Sequence, residues 1–492
     1  MSTTAPSIII IGAGFSGLGM AMELRRNGFD DFTILERAAE PGGVWRENTY
    51  PGAACDVPSP LYSYSYAPKP DWPHRYSGAA DILNYLESLA AENGLLERIR
   101  FGADVTEAAY DESTGTWTVR IADGTHYTAD VLISAVGQLS RPQLPTIPGR
   151  ERFEGPSFHS AQWDHTVDLS GKRVAVIGTG ASAIQFVPAI QPRVARLTVF
   201  QRTAAWVVSR TDREYRPLHH ALFRHVPGLR LAQRLWVWCF LEFFALGLAD
   251  LPFLRRLVAS LCRASLHREV RDPALRAALT PDYPVLCKRV LFSNDYYPAL
   301  VQPNVDVVTT AIAEIVPEGV RTTDGVVHPA DVIVYGTGFK GSEFLWPMRI
   351  LGRDGVDLAD AWTDGARAYL GMTVPHFPNM FLLYGPNTNL GIGSIVYMIE
   401  CQSRYIRQAL SHLTTHPGHT LEVTEQAARD FDTHTQRRLR RTPWSSCSSW
   451  YRDATGRITN NWPGTVTAYR LRTRTLHPTD YTLTPTPDRS RA

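Results

Sequence analysis

Ile8-Ile9-Ile10-Ile11-Gly12-Ala13-Gly14-Phe15-Ser16-Gly17 joins four β-branched residues to three spaced glycines. Such a short apolar run fits a strand buried on both faces of a parallel sheet. Leu18 to Arg26 then reads as a helix. Strand, G-x-G-x-x-G turn and helix in this order are the parts of a dinucleotide site. Gly12 permits the tight turn, Gly14 lets the backbone approach a pyrophosphate, and Gly17 lets helix and strand pack closely. The free N–H groups of the helix start, with Ser16 in its first turn, are offered to the phosphates. The second strand, Phe32 to Leu35, ends in Glu36, whose carboxylate can accept hydrogen bonds from ribose hydroxyls. A position at the start of a long chain points to FAD.

The same grammar recurs. Val174 to Ile177 is a second buried-strand run, followed by Gly178-Thr-Gly180-Ala-Ser182-Ala183 and a helix through Ile190. The next strand, Leu197 to Phe200, ends not in an acid but in Gln201-Arg202-Thr203. An acid there would repel a ribose 2′-phosphate, whereas Arg202 can pair with it through a charge-assisted fork, with Thr203 beside it. That favours NADPH over NADH. The chain has only four lysines, so Lys288, in the pair Lys288-Arg289, stands out among the arginines. The pair is either two surface bases at a strand start or a pair of cofactor contacts.

Composition bounds the rest. At 492 residues the chain is too long for one core, and two or three domains are expected. Hydrophobic residues at 44% and charged residues at 20% favour neither disorder nor a membrane bundle. A net charge of +2 gives no reason to propose nucleic acid as a partner. The six cysteines, Cys55, Cys239, Cys262, Cys287, Cys401 and Cys447, are scattered, with no C-x-x-C pair and no His cluster at metal spacing. They are expected to be reduced, buried thiols in a cytoplasmic protein, and no metal is expected. The run Ile8 to Ile11 has no basic flank before it and reads as a strand rather than a signal peptide.

Between the two loops lies Phe153-Glu-Gly155-Pro-Ser-Phe-His159-Ser-Ala-Gln-Trp163-Asp164. Its pattern, F-x-G-x-x-x-H-x-x-x-W-D, resembles the fingerprint of Baeyer–Villiger monooxygenases of the class B flavoprotein family. Gly42-Gly43-Val44-Trp45, leading through Tyr50-Pro51-Gly52 to Asp56, matches a second pattern of that family, G-G-x-W-x-x-x-x-Y-P-G-x-x-x-D. One departure is visible: many relatives carry Arg two residues before the Asp, and here that residue is Ala54. The Q-R-T-x-x-W run to Trp206 and the Lys288-Arg289 pair before Tyr296-Tyr297 are also similar to the family. Val131 to Gly137, followed by Gln138, and the run at 331–339 with Gly338 resemble its two chain crossings between domains. Gly385-Pro386-Asn387-Thr388-Asn389 resembles the turn that lies against the isoalloxazine.

The resemblance implies an α/β fold with two Rossmann-like domains and a helical insertion. The FAD domain would be split, 1–142 with 342–492, and the NADPH domain would comprise 145–208 and 288–341. The insertion, 209–287, has helical periodicity. Leu235 to Leu248 is almost wholly apolar and at fourteen residues too short to span a bilayer. It is expected to be a buried helix lining a lipophilic channel at the substrate entrance. A peripheral membrane contact is the alternative, and no stable membrane anchor is expected. The Thr/Pro-rich tail from Thr473 is expected to be frayed. Ser449-Trp450-Tyr451 and Trp462-Pro463-Gly464 are similar to a mobile segment in some relatives, so Trp450 and Trp462 are each either lid residues or core aromatics.

By the same resemblance, Lys288 would contact the 2′-phosphate. Arg289 would stabilise a flavin peroxide anion and the oxyanion it forms on a ketone, with Asp56 orienting it. The expected partners are O2 and a small lipophilic ketone, and the product an ester or lactone. The chain would act as a monomer or homodimer. Two alternatives stay open: an N- or S-oxygenating enzyme of the same fold, and a non-catalytic FAD/NADPH redox-binding protein.

Overall fold

Ile8–Ile11 is buried throughout and pairs in parallel with Phe32–Glu36 on one side and Val131–Ser134 on the other. A central strand shielded on both faces must be apolar at every position, which is why the run does not alternate. Met380–Leu382 and Ile99–Phe101 complete this five-stranded sheet, in the order 380–382, 131–134, 8–11, 32–36, 99–101. A computed structural model describes residues 5–487 apart from 250, 448 and 454.

The helices Phe15–Arg26 and Ile395–Thr415 cover one face of the sheet in a shared core. A meander of Val105–Asp111, Thr116–Ile121 and His126–Ala129 covers the other, packing Trp117 and Val119 against Ile9, Ile11 and Leu132. The indole of Trp117 donates to Pro378 O at 2.9 Å, so this burial leaves no polar group unpaired.

The second sheet repeats the plan. Its order is Val305–Val308, Arg196–Phe200, Arg173–Ile177, Val332–Tyr335, Ser157–His159, again all parallel. The helix Ala183–Ile190 follows the second glycine turn and packs with Val174, Val176 and Val334.

Three expectations need correction. The insertion is helical, as Pro217–His225, Leu229–Ala249, Pro252–Glu269 and Pro273–Ala278. Yet the apolar run is not a buried helix. Leu235, Trp236, Phe240 and Phe243 are exposed, although the Arg75 guanidinium lies 5.3 Å from the centre of the Trp236 ring. Leu248, the end of the run, has no described side chain.

The cysteines are not uniformly reduced and buried. Cys287 and Cys447 form a disulfide across 160 positions, which ties the C-terminal segment to the stretch that carries Lys288 and Arg289, and Cys239 is exposed. Nor is the tail frayed from Thr473. Tyr481–Pro485 pairs antiparallel with His419–Val423, and Tyr481 is buried. Residues 488–492 lie outside the described residues.

Candidate active site

Each glycine turn delivers its loop to one cleft of about 1770 Å³. A single small-molecule site takes about 300–1,000 Å³, so this space is larger than one modest ligand requires. The turns fit dinucleotides by what they forbid. A Cβ on Gly12, which sits at φ +103°, would lie 2.9 Å from Ala135 O. One on Gly178, at φ +111°, would lie 2.4 Å from Gly336 O. One on Gly17 would lie 1.8 Å from Gly12 O, so Gly17 sets helix–strand packing and does not itself line the cleft. The helix Phe15–Arg26 starts at Gly14 without a side-chain cap, which leaves its first N–H groups to a ligand's phosphate.

Gly12, Gly14, Ser16, Glu36, Gly43, Trp45, Asp56 and Gln138 line the cleft from the first half. Gly178, Gly180, Ser182, Arg202, Thr203, Lys288, Arg289, Gly338 and Asn389 line it as well. Glu36 accepts from Ala13 N at 2.8 Å and Ala38 N at 3.0 Å, which fixes its carboxylate beside the turn. Gln138 donates to Tyr384 O at 2.8 Å and so ties the first crossing to the 384–389 turn. Asn389 accepts from Tyr384 Oη at 2.7 Å and donates to Asn461 at 2.7 Å.

Asp56 and Arg289 meet where the halves adjoin. Arg289 Nε donates to Asp56 Oδ2 at 2.7 Å and Nη2 donates to Oδ1 at 2.7 Å. This is a bidentate fork, which fixes the guanidinium plane as well as its position. Arg289 Nη1 also reaches Leu390 O at 3.4 Å. Burial alone would push the Asp56 carboxyl up; Arg289 outweighs it and holds the group below its usual range. Burial likewise opposes the charge on Arg289, and Asp56 overrides it, raising the guanidinium pKa further. Where Ala54 stands in place of the family's Arg, a second, smaller positive influence on Asp56 comes from Arg210.

Lys288 and Arg202 are drawn together on the other side. Burial, and then the charge of Arg202, lowers the Lys288 pKa. Its ammonium lies 4.6 Å from the centre of the Tyr283 ring. Two cations crowded into a partly desolvated corner are stabilised when an anion enters between them.

The segment Phe153 to Asp164 does not reach the cleft. Ser157–His159 is the edge strand of the second sheet. Phe153 packs on the core beneath that sheet, Gly155 clears Asp331 O, and Trp163 packs against Phe158 and Phe186. Asp164 accepts from Thr166 in an exposed turn. His159 touches a cleft-lining residue. Its ring meets Phe339 edge-on at 5.7 Å, under the crossing that carries Gly338, and burial holds it below its usual pKa. The segment therefore supports a crossing rather than touching a ligand.

The two tryptophans separate. Trp450 is 41% exposed, lines the cleft and lies on Tyr451 with ring centres 4.5 Å apart. Trp462 is 4% exposed, stacks on Phe431 and is a core residue. Three cleft-side groups escaped the sequence reading. Tyr451 lines the cleft, its phenol pushed up to about 12 by burial, so it is a neutral donor. Tyr384 holds Asn389. Gln185, on the helix after the second turn, accepts from Tyr50 Oη at 2.8 Å and donates to Ala54 O at 2.9 Å, bracing the Asp56 loop. Tyr451 adjoins Trp450 in the sequence, but no local signal marks Gln185. None of the described residues of 209–282 lines the cleft, so the insertion's apolar run does not form its wall.

The family model for flavin-binding monooxygenase-like proteins matches residues 5–236. A Baeyer-Villiger monooxygenase of Streptomyces coelicolor is 46% identical, over 96% of this chain and 92% of its own length. One of Pseudomonas aeruginosa is 43% identical, over 98% and 92%. Among solved structures, an oxidised steroid monooxygenase bound to NADP superposes with TM-score 0.87 at 30% identity, over 98% of this chain and 100% of that one. Cyclohexanone monooxygenase from Rhodococcus sp. Phi1 bound to NADP+ gives 0.88 at 28% identity, over 98% and 99%.

Proposed function

The chain belongs to the Baeyer–Villiger monooxygenase family, and from that premise we propose that Asp56 and Arg289 form its reaction centre. The enzyme depends on FAD and NADPH and places one oxygen atom of O2 beside a ketone carbonyl, giving an ester or lactone. FAD, reduced by NADPH, supplies the electron transfer and oxygen activation. What the chain adds is electrostatic. Arg289, held ionised and flat by Asp56, faces the cleft and stabilises negative charge developing on the former carbonyl oxygen. Asp56 is a positioning residue: its two 2.7 Å bonds leave Arg289 little freedom to turn away. Trp450 and Tyr451 close the cleft wall nearby and exclude water.

Residues 1–142 with 342–492 hold FAD through Gly12, Gly14, Ser16, Gly43, Trp45, Glu36, Gln138 and Asn389. Residues 145–208 with 288–341 hold NADPH through Gly178, Gly180, Ser182, Arg202, Thr203 and Lys288, with Gly338 at the crossing. The cleft's mainly apolar lining favours a lipophilic ketone.

The observation that carries this reading is the bidentate Asp56–Arg289 pair at the junction of the two glycine turns. Its test is mass spectrometry of products from a panel of ketones, amines and sulfides supplied with NADPH and O2. Esters or lactones carrying one added oxygen are expected from the ketones. Oxygenated amines or sulfides with no ketone product would replace this reading by the heteroatom-oxygenating one.

A further inference from the structure

The helix Leu229–Ala249 has two unlike faces. One is fastened to the first half of the protein. Arg234 donates to Pro60 O at 2.7 Å and Ser63 O at 2.9 Å, Val237 is buried, and Glu242 accepts from Val466 N at 2.9 Å and Thr467 N at 3.0 Å. The other face presents Leu231, Leu235, Trp236, Phe240 and Phe243, with Trp236 57% and Phe240 47% exposed. Trp236, Phe240 and Phe243 fall on one stripe at i, i+4 and i+7, and Leu231 and Leu235 lie at its edge toward Glu242. Trp236 and Phe240 stack on each other at 5.6 Å, so the stripe is a preformed aromatic surface. The chain then turns by 107° into Pro252–Glu269, whose Phe253, Leu257 and Leu261 are also exposed. Monomeric proteins seldom leave so many large apolar side chains together in water.

Charge identifies what covers it. Residues 213–269 hold nine arginines, no lysine and four acidic residues, a net +5, so the rest of the +2 chain carries −3. Arg224, Arg256 and Arg263 are exposed between or beside the apolar residues and have no ion-pair partner among the described residues. A second copy of this chain would oppose like charge to like charge across the face. An anionic bilayer would meet the arginines with phosphates while the Trp and Phe rings enter the interface, the arrangement of helices that lie in a membrane surface. No single helix among the described residues is long and apolar enough to cross.

We propose that the stripe on Leu229–Ala249 and the start of Pro252–Glu269 is a reversible docking surface for an anionic lipid bilayer. It does not depend on the reaction proposed above.

The test is flotation of the FAD-loaded protein with vesicles of equal phosphatidylglycerol and phosphatidylcholine, against vesicles of phosphatidylcholine alone. The native protein is expected to float with the anionic vesicles, and at least fivefold less with neutral ones or in 0.5 M salt. Trp236→Ser with Phe240→Ser should lower the bound fraction at least tenfold. It should leave FAD content and turnover of a water-soluble ketone unchanged, since neither residue touches the cleft. Arg224→Glu with Arg256→Glu, which leaves the aromatic stripe in place, should weaken binding to the anionic vesicles alone. The proposal fails if native protein stays unbound, or if either double variant floats like native. It also fails if the aromatic substitutions instead convert a dimer to a monomer in sedimentation, which would make a second copy the occupant.

Discussion

At the scale of single residues, the bidentate pair of Asp56 and Arg289 couples the stability of the fold to the proposed reaction centre. Asp56 has a folded pKa below its unfolded value of about 3.9. Its contribution is therefore fully present above that value and is lost only as pH falls through the lower folded one. Asp56→Asn strands a largely buried guanidinium, which costs roughly 3–5 kcal/mol. Denaturant unfolding between pH 8 and pH 5 should show a constant deficit for Asp56→Asn, closing only below about pH 4. The absence of any deficit would place the carboxylate in ordinary surroundings, and one that vanished by pH 6 would contradict its lowered pKa.

Lys288 and Arg202 make a second residue-scale prediction. A charge-assisted hydrogen bond is worth roughly 1.5–3 kcal/mol. Arg202→Ala should thus raise the NADPH KM about tenfold to a hundredfold and leave the NADH KM nearly unchanged. Steady-state kinetics with both coenzymes decides it, and a parallel rise in both would refute a 2′-phosphate contact.

At the scale of elements, what was legible was what is local. Strand, glycine turn, helix and the residue ending the next strand lie within 29 positions in each half, and Ile8–Glu36 folds as read. The insertion was harder. A helix apolar on most of its circumference ordinarily lies in a core, but periodicity does not reveal whether the second face is covered, and here Trp236 and Phe240 stay about half exposed. The tail misled for the opposite reason: Tyr481–Pro485 is ordered by a partner strand some sixty residues earlier, His419–Val423. Trp450 and Trp462 share a segment and a residue type, and only burial tells them apart. Trp462→Ala should therefore cost about 3–5 kcal/mol in urea unfolding with little change in product per NADPH. Trp450→Ala should leave stability within about 1 kcal/mol and divert NADPH to hydrogen peroxide. The reverse pattern would exchange their roles.

At the scale of the whole molecule, two parallel sheets are joined so that each contributes one glycine turn and one member of the central pair's support. Asp56 comes from the first half and is braced by Gln185 from the second. Arg289 follows Cys287, which the disulfide to Cys447 links to the segment bearing Trp450 and Tyr451. Sequence motifs identified the ends of these connections, since Asp56, Lys288 and Arg289 each stood in a recognisable run. The connections themselves, across 160 positions for the disulfide and 233 for the ion pair, are properties of the fold. The most direct measurement is the ratio of lactone formed to NADPH consumed by Arg289→Ala, with a cyclic ketone that the native enzyme converts. The native ratio should be near one. The variant should keep both cofactors and still consume NADPH, with lactone output lower by a factor on the order of a hundred or more and hydrogen peroxide in its place. Undiminished lactone output from Arg289→Ala would contradict a reaction centred on that guanidinium.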